Sequence, residues 1–334
     1  MIILSGDVGG TNTRLELSYS GKSVDVIFSK NYLASKFRNL TSIIETFFNE
    51  SGINRKEVFS CCIAVAGPIK NGSIEFTNLP WEISEKTLSE FLQIGIDKVK
   101  LINDFEAAGY GIKSINEKDL VTIQDATKDP SGLIATIGAG TGLGMGIITH
   151  VNKKFRVYPT EGGHQDFAPI DDDQIQLLQF LKKRLHRVSI ERLCCGSGLF
   201  NIYKYVSQSS YYRHLQSISL KRDMYISKTD PAQLIVHYAK VENDMLALKV
   251  IDIFIRIYGA VVGNLALSTL PKQGMYIMGG LSPRLVDFIK QGTFMKVFLD
   301  KGRMSELIRS IPVFVVMDTN IGLKGATIYA KSLL

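Results

Sequence analysis

Two glycine-rich segments of the chain have the composition of loops that hold phosphate groups. In both, glycines stand near a threonine after a short apolar run; the residues are Asp7, Gly9, Gly10, Thr11 and Asn12 in the first segment and Gly138, Gly140, Thr141 and Gly142 in the second. Glycine lets backbone N–H groups approach an anion closely, and a threonine hydroxyl is a further donor. The pair predicts a phosphate clamp, although two ordinary tight β-hairpins would have the same features.

Asp7 gives the first segment a charge that phosphate alone would repel. A cation between the carboxylate and the phosphates removes this repulsion, and Mg²⁺ bound through water is suited to that position. Neither segment continues into the Gly-Lys-Ser/Thr of a P-loop or into the helix and acidic ribose contact of a dinucleotide-binding unit. The sequence therefore predicts Mg²⁺ and a nucleotide held by hairpins of a different kind.

An acidic residue follows directly after another apolar run. Residues 99–102 are predicted to form a buried strand, and Asn103 and Asp104 stand at its carboxyl end, where α/β proteins place their active sites. A carboxylate there can accept the proton of a substrate hydroxyl as it attacks a γ-phosphate. The alternative is structural, because aspartate is also a common N-cap, here for a helix over residues 106–112.

Four further polar side chains have the chemistry of sugar ligands. Glu161, His164 and Glu191 are the main candidates, and Asn78 adds an amide. Carboxylates and amides can bond two neighbouring hydroxyls of a sugar. His164 follows two glycines that bring backbone close to another group, which favours a ligand contact over a core or surface histidine. Glu191 stands beside Arg192, so a surface ion pair is a competing interpretation.

Strands and helices alternate along the chain, which predicts an α/β protein. The strands are predicted at 2–4, 14–18, 59–65, 99–102, 133–137, 143–149, 275–278 and 313–317, and the helices at 39–48, after Ser84 as N-cap, and at 175–185, 232–238, 246–267 and 321–334. The order strand, Gly/Thr turn, strand occurs twice, which predicts a duplicated lobe. We expect a smaller α/β lobe at 1–105 plus 318–334 and a larger α/β lobe at 106–317.

Length and composition fit a globular protein with two lobes. The 334 residues are 45% hydrophobic and 21% charged, and the net charge is +7. This mild basicity suits a nucleotide, and the basic run at 182–187 lacks the aromatic platform of a nucleic-acid site, so no nucleic-acid partner is expected. The uncharged stretch 132–151 contains six glycines, which favours a turn between strands over a membrane span.

The cysteines and the first residues indicate the compartment. Cys61–Cys62 and Cys194–Cys195 are adjacent pairs, which bridge only with strain and have the spacing of no zinc site. Reduced thiols and no zinc are therefore expected. The first residues, Met-Ile-Ile-Leu-Ser-Gly-Asp, lack the basic region of a secretory signal. We predict a cytoplasmic protein without a membrane partner.

A series of blocks, in order over nearly the whole chain, resembles the bacterial glucokinases of the hexokinase/actin/Hsp70-type ATPase superfamily, in the group without a zinc site. The blocks are 6–12, 66–68, 77–78 with Trp81, 102–105, 138–144, 161–169, 191–198, 279–280 and 320–325. The resemblance implies a two-lobed, duplicated actin/hexokinase-like fold, ribonuclease H-like, with a central cleft. It also implies transfer of phosphate from ATP to the 6-hydroxyl of glucose, and a homodimer.

The resemblance assigns roles to matching residues. Asp104 corresponds to the catalytic base of the family, and Asn103, Glu161, His164 and Glu191 correspond to glucose ligands. In the family, a loop like residues 138–144 contacts the ATP phosphates and a pair like Gly279 and Gly280 lies against the adenosine. The chain lacks the Cys-x-Cys-Gly-x-x-Gly-Cys zinc segment of the related repressor/kinase group, and it begins at the first strand, without room for a helix-turn-helix domain.

Three other functions fit parts of the pattern. A kinase of the same fold could act on mannose, fructose or an N-acetylated amino sugar. A sugar-sensing regulatory protein would bind glucose but would need neither Asp104 nor the phosphate hairpins. An actin-like or chaperone ATPase would lack the polar sugar ligands. The sequence does not decide the sugar preference, the phosphoryl donors other than ATP, the effectors or the oligomeric state.

Overall fold

The described part of the chain is an α/β protein with mixed β-sheets, as the sequence predicts. The structure is a computed structural model that describes residues 1–21, 24–75, 81–151 and 154–334. The chain divides into two compact units. The first comprises Met1–Glu117, Phe155–Pro159 and Asp318–Leu334, and the second comprises Lys118–Lys154 and Thr160–Met317.

The first unit is built on a five-stranded sheet of order β3-β2-β1-β4-β7. Its strands are β1 (Ile2–Val8), β2 (Asn12–Ser20), β3 (Val24–Leu33), β4 (Val58–Val65) and β7 (Val99–Asn103); β5 (Ser73–Glu75) and β6 (Glu82–Ser84) form a separate ribbon. Strands β1 to β3 are an antiparallel meander, whereas β4 and β7 continue the sheet in parallel with β1. The helices of this unit are α1 (Leu40–Ser51), α2 (Glu85–Leu92), α3 (Asp104–Gly111) and α12 (Ile321–Ser332).

The second sheet has six strands in the order β11-β10-β9-β12-β13-β8. All of its strands except β11 lie in the second unit. Its strands are β8 (Leu120–Gln124), β9 (Ile134–Ala139), β10 (Leu143–Val151), β11 (Lys154–Thr160), β12 (Gly274–Met278) and β13 (Val313–Val316). Its helices are α4 (Asp172–Lys182), α5 (Gly196–Gln208), α6 (Ile218–Ile226), α7 (Pro231–Lys240), α8 (Met245–Thr269), α9 (Ser282–Lys290), α10 (Thr293–Leu299) and α11 (Ser305–Arg309). Helix α8 is buried along most of its length and forms the centre of the core.

Local sequence explains where several elements begin. The side chain of Ser84 accepts a hydrogen bond from Thr87 N–H at the start of α2, as predicted, and the side chain of Asn39 accepts one from Ser42 N–H at the start of α1. The glycine-rich stretch 132–151 contains β9, a short turn and β10, which confirms the predicted turn between strands. Among the helices of the described residues, none has the length and apolar character needed to cross a membrane.

The ends of some strands differ from the sequence prediction. Strand β1 continues through Gly6 and Asp7 to Val8, and β9 continues through Gly138 to Ala139, so both glycine-rich turns are shorter than predicted. Ladder pairing with neighbouring strands extends these strands past their glycines. The sequence prediction also lacks the strands β3, β5, β6, β8 and β11 and the helices α5, α6, α9, α10 and α11. Most of β3 is exposed and most of β8 is only partly buried, which weakens the alternation of apolar residues that identifies a strand.

Helix α12 packs against α3 at a distance that glycine alone permits. A Cβ atom on Gly325 would lie 1.6 Å from the carbonyl oxygen of Ala107, and one on Gly111 would lie 2.3 Å from the carbonyl oxygen of Ile321. The small side chain of Ala326 is buried at the same crossing. This contact fixes the first residue of α3, Asp104, relative to the start of α12.

Replacing Gly325 by alanine should therefore destabilise the first unit. The methyl group has no room beside Ala107, so the helices must separate, at a cost of about 1–3 kcal/mol in free energy of unfolding. Gly322→Ala in the same helix is the matched control, because its methyl carbon would meet Asp7 Oδ2 at 3.6 Å, an ordinary contact. Denaturant unfolding of both variants measures the difference, and equal midpoints would contradict this account of the crossing.

A network of charged side chains joins α4 to α8 in the second unit. Arg256 donates to Asp171 and Asp173, in each case at 2.9 Å, and Lys249 donates to Asp173 at 2.8 Å. Burial raises the pKa of Asp173, but hydrogen bonds from Lys249, Tyr212 and Arg256 together outweigh burial and lower the pKa to about 2. Asp173 thus stabilises the fold in its ionised form.

The low pKa of Asp173 predicts a stabilisation that depends on pH. Because the folded-state pKa lies below the unfolded value of 3.8, the contribution is complete above that value and is lost as pH falls towards about 2. Asp173→Asn should lower the free energy of unfolding by about 2 kcal/mol at neutral pH and by much less near pH 2. Asp252→Asn, at a more exposed member of the network, should lose less. Urea unfolding across this pH range measures both losses; a loss in Asp173→Asn that stays constant with pH would count against the argument.

Candidate active site

The carboxyl ends of three parallel strands meet at one edge of the first sheet. Val8 of β1 lies opposite Val65 of β4, and Val65 lies opposite Asn103 of β7. Asp7 and Asp104 are therefore next to the same edge, one just before the end of β1 and the other just after the end of β7. Strand ends of this kind are where α/β proteins collect functional side chains.

Asn103, and not Asp104, is the N-cap of α3. Asn103 has an extended backbone, and its Oδ1 accepts hydrogen bonds from the N–H groups of Phe105 at 2.9 Å and Glu106 at 3.3 Å. Asp104 is the first helical residue, its side chain is exposed, and its Oδ1 accepts from Phe105 N–H at 2.8 Å. The interpretation of Asp104 as the N-cap is thus wrong. Because the Asn103 oxygen is used in capping, its amide nitrogen is the group that it can offer to a ligand.

Asp7 lies between a cationic side chain and the start of α12. It faces Arg14 across the β1–β2 pair, and Arg14 Nη1 donates to Asn320 Oδ1 at 2.9 Å. Burial raises the pKa of Asp7, while the guanidinium charge of Arg14 acts in the opposite direction without cancelling it. A Cβ atom on Gly322 would lie 3.6 Å from Asp7 Oδ2 and 4.0 Å from the carbonyl oxygen of Asp104. The carboxylate of Asp7 and the backbone of Asp104 thus both lie next to the first turn of α12.

The first glycine-rich turn is closed by its own backbone. Gly9 N–H donates to the carbonyl oxygen of Asn12 at 2.9 Å, and the carbonyl oxygen of Thr11 accepts from Ala34 N–H at 2.9 Å. Gly10, Thr11 and Asn12 are exposed, so their polar groups can reach a ligand. The turn therefore has a fixed backbone and an open outer surface.

The second glycine-rich turn lies against the start of α5. Gly140 N–H donates to the carbonyl oxygen of Gly142 at 2.9 Å, and the carbonyl oxygen of Gly140 accepts from Gly196 N–H at 2.9 Å. A Cβ atom on Gly140 would meet nothing within 4 Å, and Thr141 is exposed. Gly138 lies in β9 and pairs with Gly144 of β10, so it belongs to the strand pair that leads into the turn.

Three predicted sugar ligands come together in the second unit. His164 lies between two carboxylates, with Nε2 3.8 Å from Glu161 Oε2 and Nδ1 4.0 Å from Glu191 Oε1. Glu191 Oε2 accepts from Leu143 N–H at 3.0 Å, at the first residue of β10. The carboxylate of Glu191 thus faces His164 and the glycine-rich turn, which explains its position without an ion pair to Arg192.

Backbone contacts hold the loops of His164 and Glu191 side by side. Ile190 N–H donates to the carbonyl oxygen of Gln165 at 2.9 Å. Arg187 adds a bridge, because Nη2 donates to the carbonyl oxygen of His164 at 2.8 Å and Nε to Asp166 Oδ1 at 2.6 Å. The three polar side chains are therefore presented by one compact pair of loops.

The pair Gly279 and Gly280 follows β12 directly. Gly279 has φ +89°, and a Cβ atom there would lie 2.4 Å from the carbonyl oxygen of Ala139. A Cβ atom on Gly280 would meet nothing within 4 Å. Gly279 is therefore required by the backbone, whereas Gly280 leaves an open surface.

The remaining expectations concern Asn78, metal ligands and the cysteines. Asn78 lies outside the described residues. In the described ranges, the structure contains no group of three or more His, Cys, Asp or Glu side chains that could hold a metal ion by themselves. The cysteines in both pairs are buried thiols.

Comparison with known proteins gives the family. The profile of the Glucokinase family matches residues 4–333, nearly the whole chain. The chain belongs to the glucokinase family. It is 37% identical over 346 residues to the glucokinase of Synechocystis sp., and the match covers 98% of this chain and 97% of that protein.

Solved structures of glucokinases have the same fold. The crystal structure of a glucokinase from an Antarctic psychrotroph has a TM-score of 0.81 at 28% identity, over 99% of both chains. The glucokinase of Balamuthia mandrillaris in complex with glucose has a TM-score of 0.80 at 23% identity, over 99% of this chain and 93% of that one. The resemblance to bacterial glucokinases drawn from the sequence is confirmed.

Sequence reasoning did not identify two groups of the candidate site. The first is Arg14, which lies opposite Asp7. The sequence could have indicated this pair, because a tight turn at residues 9–12 fixes the antiparallel register of the strands on either side. The hydrogen bond between Leu143 N–H and Glu191 joins residues that are far apart in the chain. No local pattern in the sequence indicates that contact.

The contrast between Gly279 and Gly280 is testable with one substitution at each position. Gly279→Ala should lower the free energy of unfolding by about 1–3 kcal/mol, because of its positive φ and its contact with backbone. Gly280→Ala should unfold like the parent chain but bind nucleotide several-fold more weakly, if the adenosine lies here. Thermal unfolding and nucleotide titration separate the two effects; equal stability losses would show that the local geometry is misjudged.

Proposed function

We propose that this chain transfers the γ-phosphoryl group of ATP to the 6-hydroxyl of glucose. The observation that carries the proposal is the placement of His164 between Glu161 and Glu191, directly beside a glycine-rich turn. Carboxylates and an imidazole can bond neighbouring sugar hydroxyls, while exposed backbone donors suit phosphate. Membership of the glucokinase family and the glucose complex of the Balamuthia mandrillaris protein support this choice of substrate.

Asp104 is proposed as the general base. It is exposed at the carboxyl end of a buried strand, its Oδ1 accepts from Phe105 N–H, and its neighbour Asn103 is the N-cap of α3. Its carboxylate accepts the proton of the glucose 6-hydroxyl as that oxygen forms a bond to the γ-phosphorus and the bond to ADP breaks. Asn103 offers its amide nitrogen, and Asn78 its amide, to other sugar hydroxyls.

Asp7 is proposed to hold Mg²⁺ through water. The site fits a cation, because burial keeps the pKa of Asp7 raised even with Arg14 beside it, so the charge of the carboxylate is incompletely compensated. Arg14 is also engaged with Asn320, which limits what it can contribute. The metal would neutralise charge on the phosphates when bound.

The two glycine-rich turns are proposed to contact the phosphates of ATP. In the first, Asp7 is followed by Gly9, Gly10, Thr11 and Asn12, of which the last three are exposed; in the second, Gly138 supports Gly140, Thr141 and Gly142. The donors are the threonine hydroxyls and the N–H groups of the turns other than those of Gly9 and Gly140, which bond within the turns. Gly279 and Gly280 are proposed to lie against the adenosine, and the open surface above Gly280 supports this role.

The two sheets support a duplicated, actin/hexokinase-like architecture. Order β3-β2-β1-β4-β7 in one sheet corresponds to order β11-β10-β9-β12-β13 in the other, and in each sheet the first hairpin carries a glycine-rich turn. We propose that both arose from one unit and that the lobes are 1–105 plus 318–334 and 106–317. A cytoplasmic location and a homodimer remain predictions from the sequence.

The decisive experiment measures ADP formation from Mg-ATP with and without sugar. Glucose should raise turnover far above the rate without sugar, and glucose 6-phosphate should be the product. Mannose, fructose and N-acetylated amino sugars, tested in the same coupled assay, would reveal a different hexose preference. Equal ADP formation with and without every sugar would refute the proposal and favour an ATPase.

Replacing Asp104 by asparagine tests the proposed base. Asp104→Asn should lower kcat roughly a hundredfold or more, the usual scale for loss of a general base, while glucose still binds. Asp97→Asn is the matched control, since Asp97 is an exposed residue just before the opposite end of β7. Steady-state kinetics and glucose titration give both quantities; near-normal turnover in Asp104→Asn would remove the residue from this role.

A further inference from the structure

The carboxylate of Glu191 contacts two candidate functional groups at the same time. Oε1 lies 4.0 Å from His164 Nδ1, among the proposed sugar ligands. Oε2 accepts a hydrogen bond of 3.0 Å from Leu143 N–H, at the end of the second glycine-rich turn. All of these residues belong to the second unit, so their geometry is internal to one compact body.

We propose that Glu191 is a positioning residue that couples sugar binding to the phosphate-binding turn at residues 140–142. The inference rests on the proposed function and concerns the communication between its two ligands. A sugar hydroxyl that donates to Oε1 fixes the carboxylate, and the fixed carboxylate holds Leu143 N–H through Oε2. Glucose thereby favours the form of the turn that accepts phosphate.

Both backbone polar groups of Leu143, its N–H and its carbonyl oxygen, contact the loops that carry the proposed sugar ligands. Glu191 accepts from its N–H, while a Cβ atom on Gly163 would lie 2.2 Å from its carbonyl oxygen. The loop that carries Glu161 and His164 is thus in backbone contact with the same residue that Glu191 bonds. A shift of either loop on sugar binding is passed directly to the start of β10.

The turn itself has little freedom to absorb such a shift. Gly140 is bonded to Gly142 within the turn and to Gly196 at the start of α5. A Cβ atom on Gly142 would lie 2.6 Å from Glu191 Oε2, so the carboxylate packs directly against the turn. Movement of the carboxylate must therefore move the turn or break the bond to Leu143.

The charge of Glu191 determines whether glucose strengthens or weakens nucleotide binding. A carboxylate this close to the turn repels a triphosphate. Sugar hydroxyls that donate to Glu191 reduce the effective negative charge of its carboxylate. Glucose should therefore strengthen nucleotide binding, and by reciprocity nucleotide should strengthen glucose binding by the same factor.

Glu161 provides a matched control for Glu191. Both are proposed sugar ligands of the same chemical type, and both lie near His164. They differ in their surroundings, since the side chain of Glu161 is 86% exposed, whereas that of Glu191 is 29% exposed and bonded to Leu143. A substitution to glutamine at each position thus separates sugar binding from coupling.

The test measures the dissociation constant of a non-hydrolysable ATP analogue with and without saturating glucose. In the parent chain, glucose should tighten binding by roughly fivefold or more, the lower end of typical coupling. Glu191→Gln should bring this ratio to within about twofold of unity, because the amide keeps an acceptor for Leu143 but removes the charge. Glu161→Gln should need more glucose for saturation yet retain the ratio of the parent chain.

A second pair of variants covers the case in which Glu191→Gln no longer binds glucose. Gly142→Ala places a methyl group against Glu191 Oε2 and should weaken glucose binding several-fold, although Gly142 is not a sugar ligand. Gly140→Ala, where the methyl meets nothing, should leave glucose affinity in the absence of nucleotide unchanged.

The outcomes separate this inference from the proposed function. The coupling would be overturned if glucose did not change the dissociation constant of the ATP analogue in the parent chain, or if Glu191→Gln kept the ratio of dissociation constants of the parent chain. Either result would leave glucose-dependent turnover, and hence the proposed function, intact. Normal glucose binding in Gly142→Ala would overturn it as well. Turnover without dependence on glucose would refute the proposed function itself.

Discussion

Close approach of one backbone segment to another, at positions where a Cβ atom does not fit, is the constraint on which both units depend. Helix α12 lies on α3 at Gly325, Gly163 lies against the carbonyl oxygen of Leu143, and Gly279 lies against the end of β9. Each contact joins segments that are distant in sequence and places a candidate functional group. Backbone atoms have no rotamers, so such contacts define positions more narrowly than side-chain packing does.

Sequence predicts the fold well where local interactions determine it. The cap at Ser84 and the long apolar runs of β4, β12 and α8 are predicted, because capping and burial depend on neighbouring residues. Strand ends are less readable. Strand β1 continues past Gly6 because it forms backbone pairs with β2 and β4 there, and these partners are distant in the sequence. The side chains of Leu15 and Ile63 pack against Gly6 at this point.

The candidate site could be predicted by residue type but not by contact. For Asp104, the local sequence leaves open whether the residue is the N-cap of α3 or presents its carboxylate at the strand end. The extended backbone of Asn103 decides it. For Glu191, the neighbouring Arg192 suggested an ion pair, whereas the actual partner is a backbone N–H of Leu143, which only the folded second unit brings near. Long-range contacts of this kind leave no periodic signal.

The two glycine-rich turns share a sequence pattern but differ in the acid beside them. Next to the first is Asp7, a carboxylate with raised pKa whose nearby cation, Arg14, is shared with Asn320. Next to the second is Glu191, whose carboxylate faces the proposed sugar ligands. Both acids oppose phosphate until they are neutralised. Under the proposed function, Asp7 would be neutralised by Mg²⁺ and Glu191 by sugar hydroxyls, so phosphate binding at the first turn would depend on the metal and phosphate binding at the second turn would depend on the sugar.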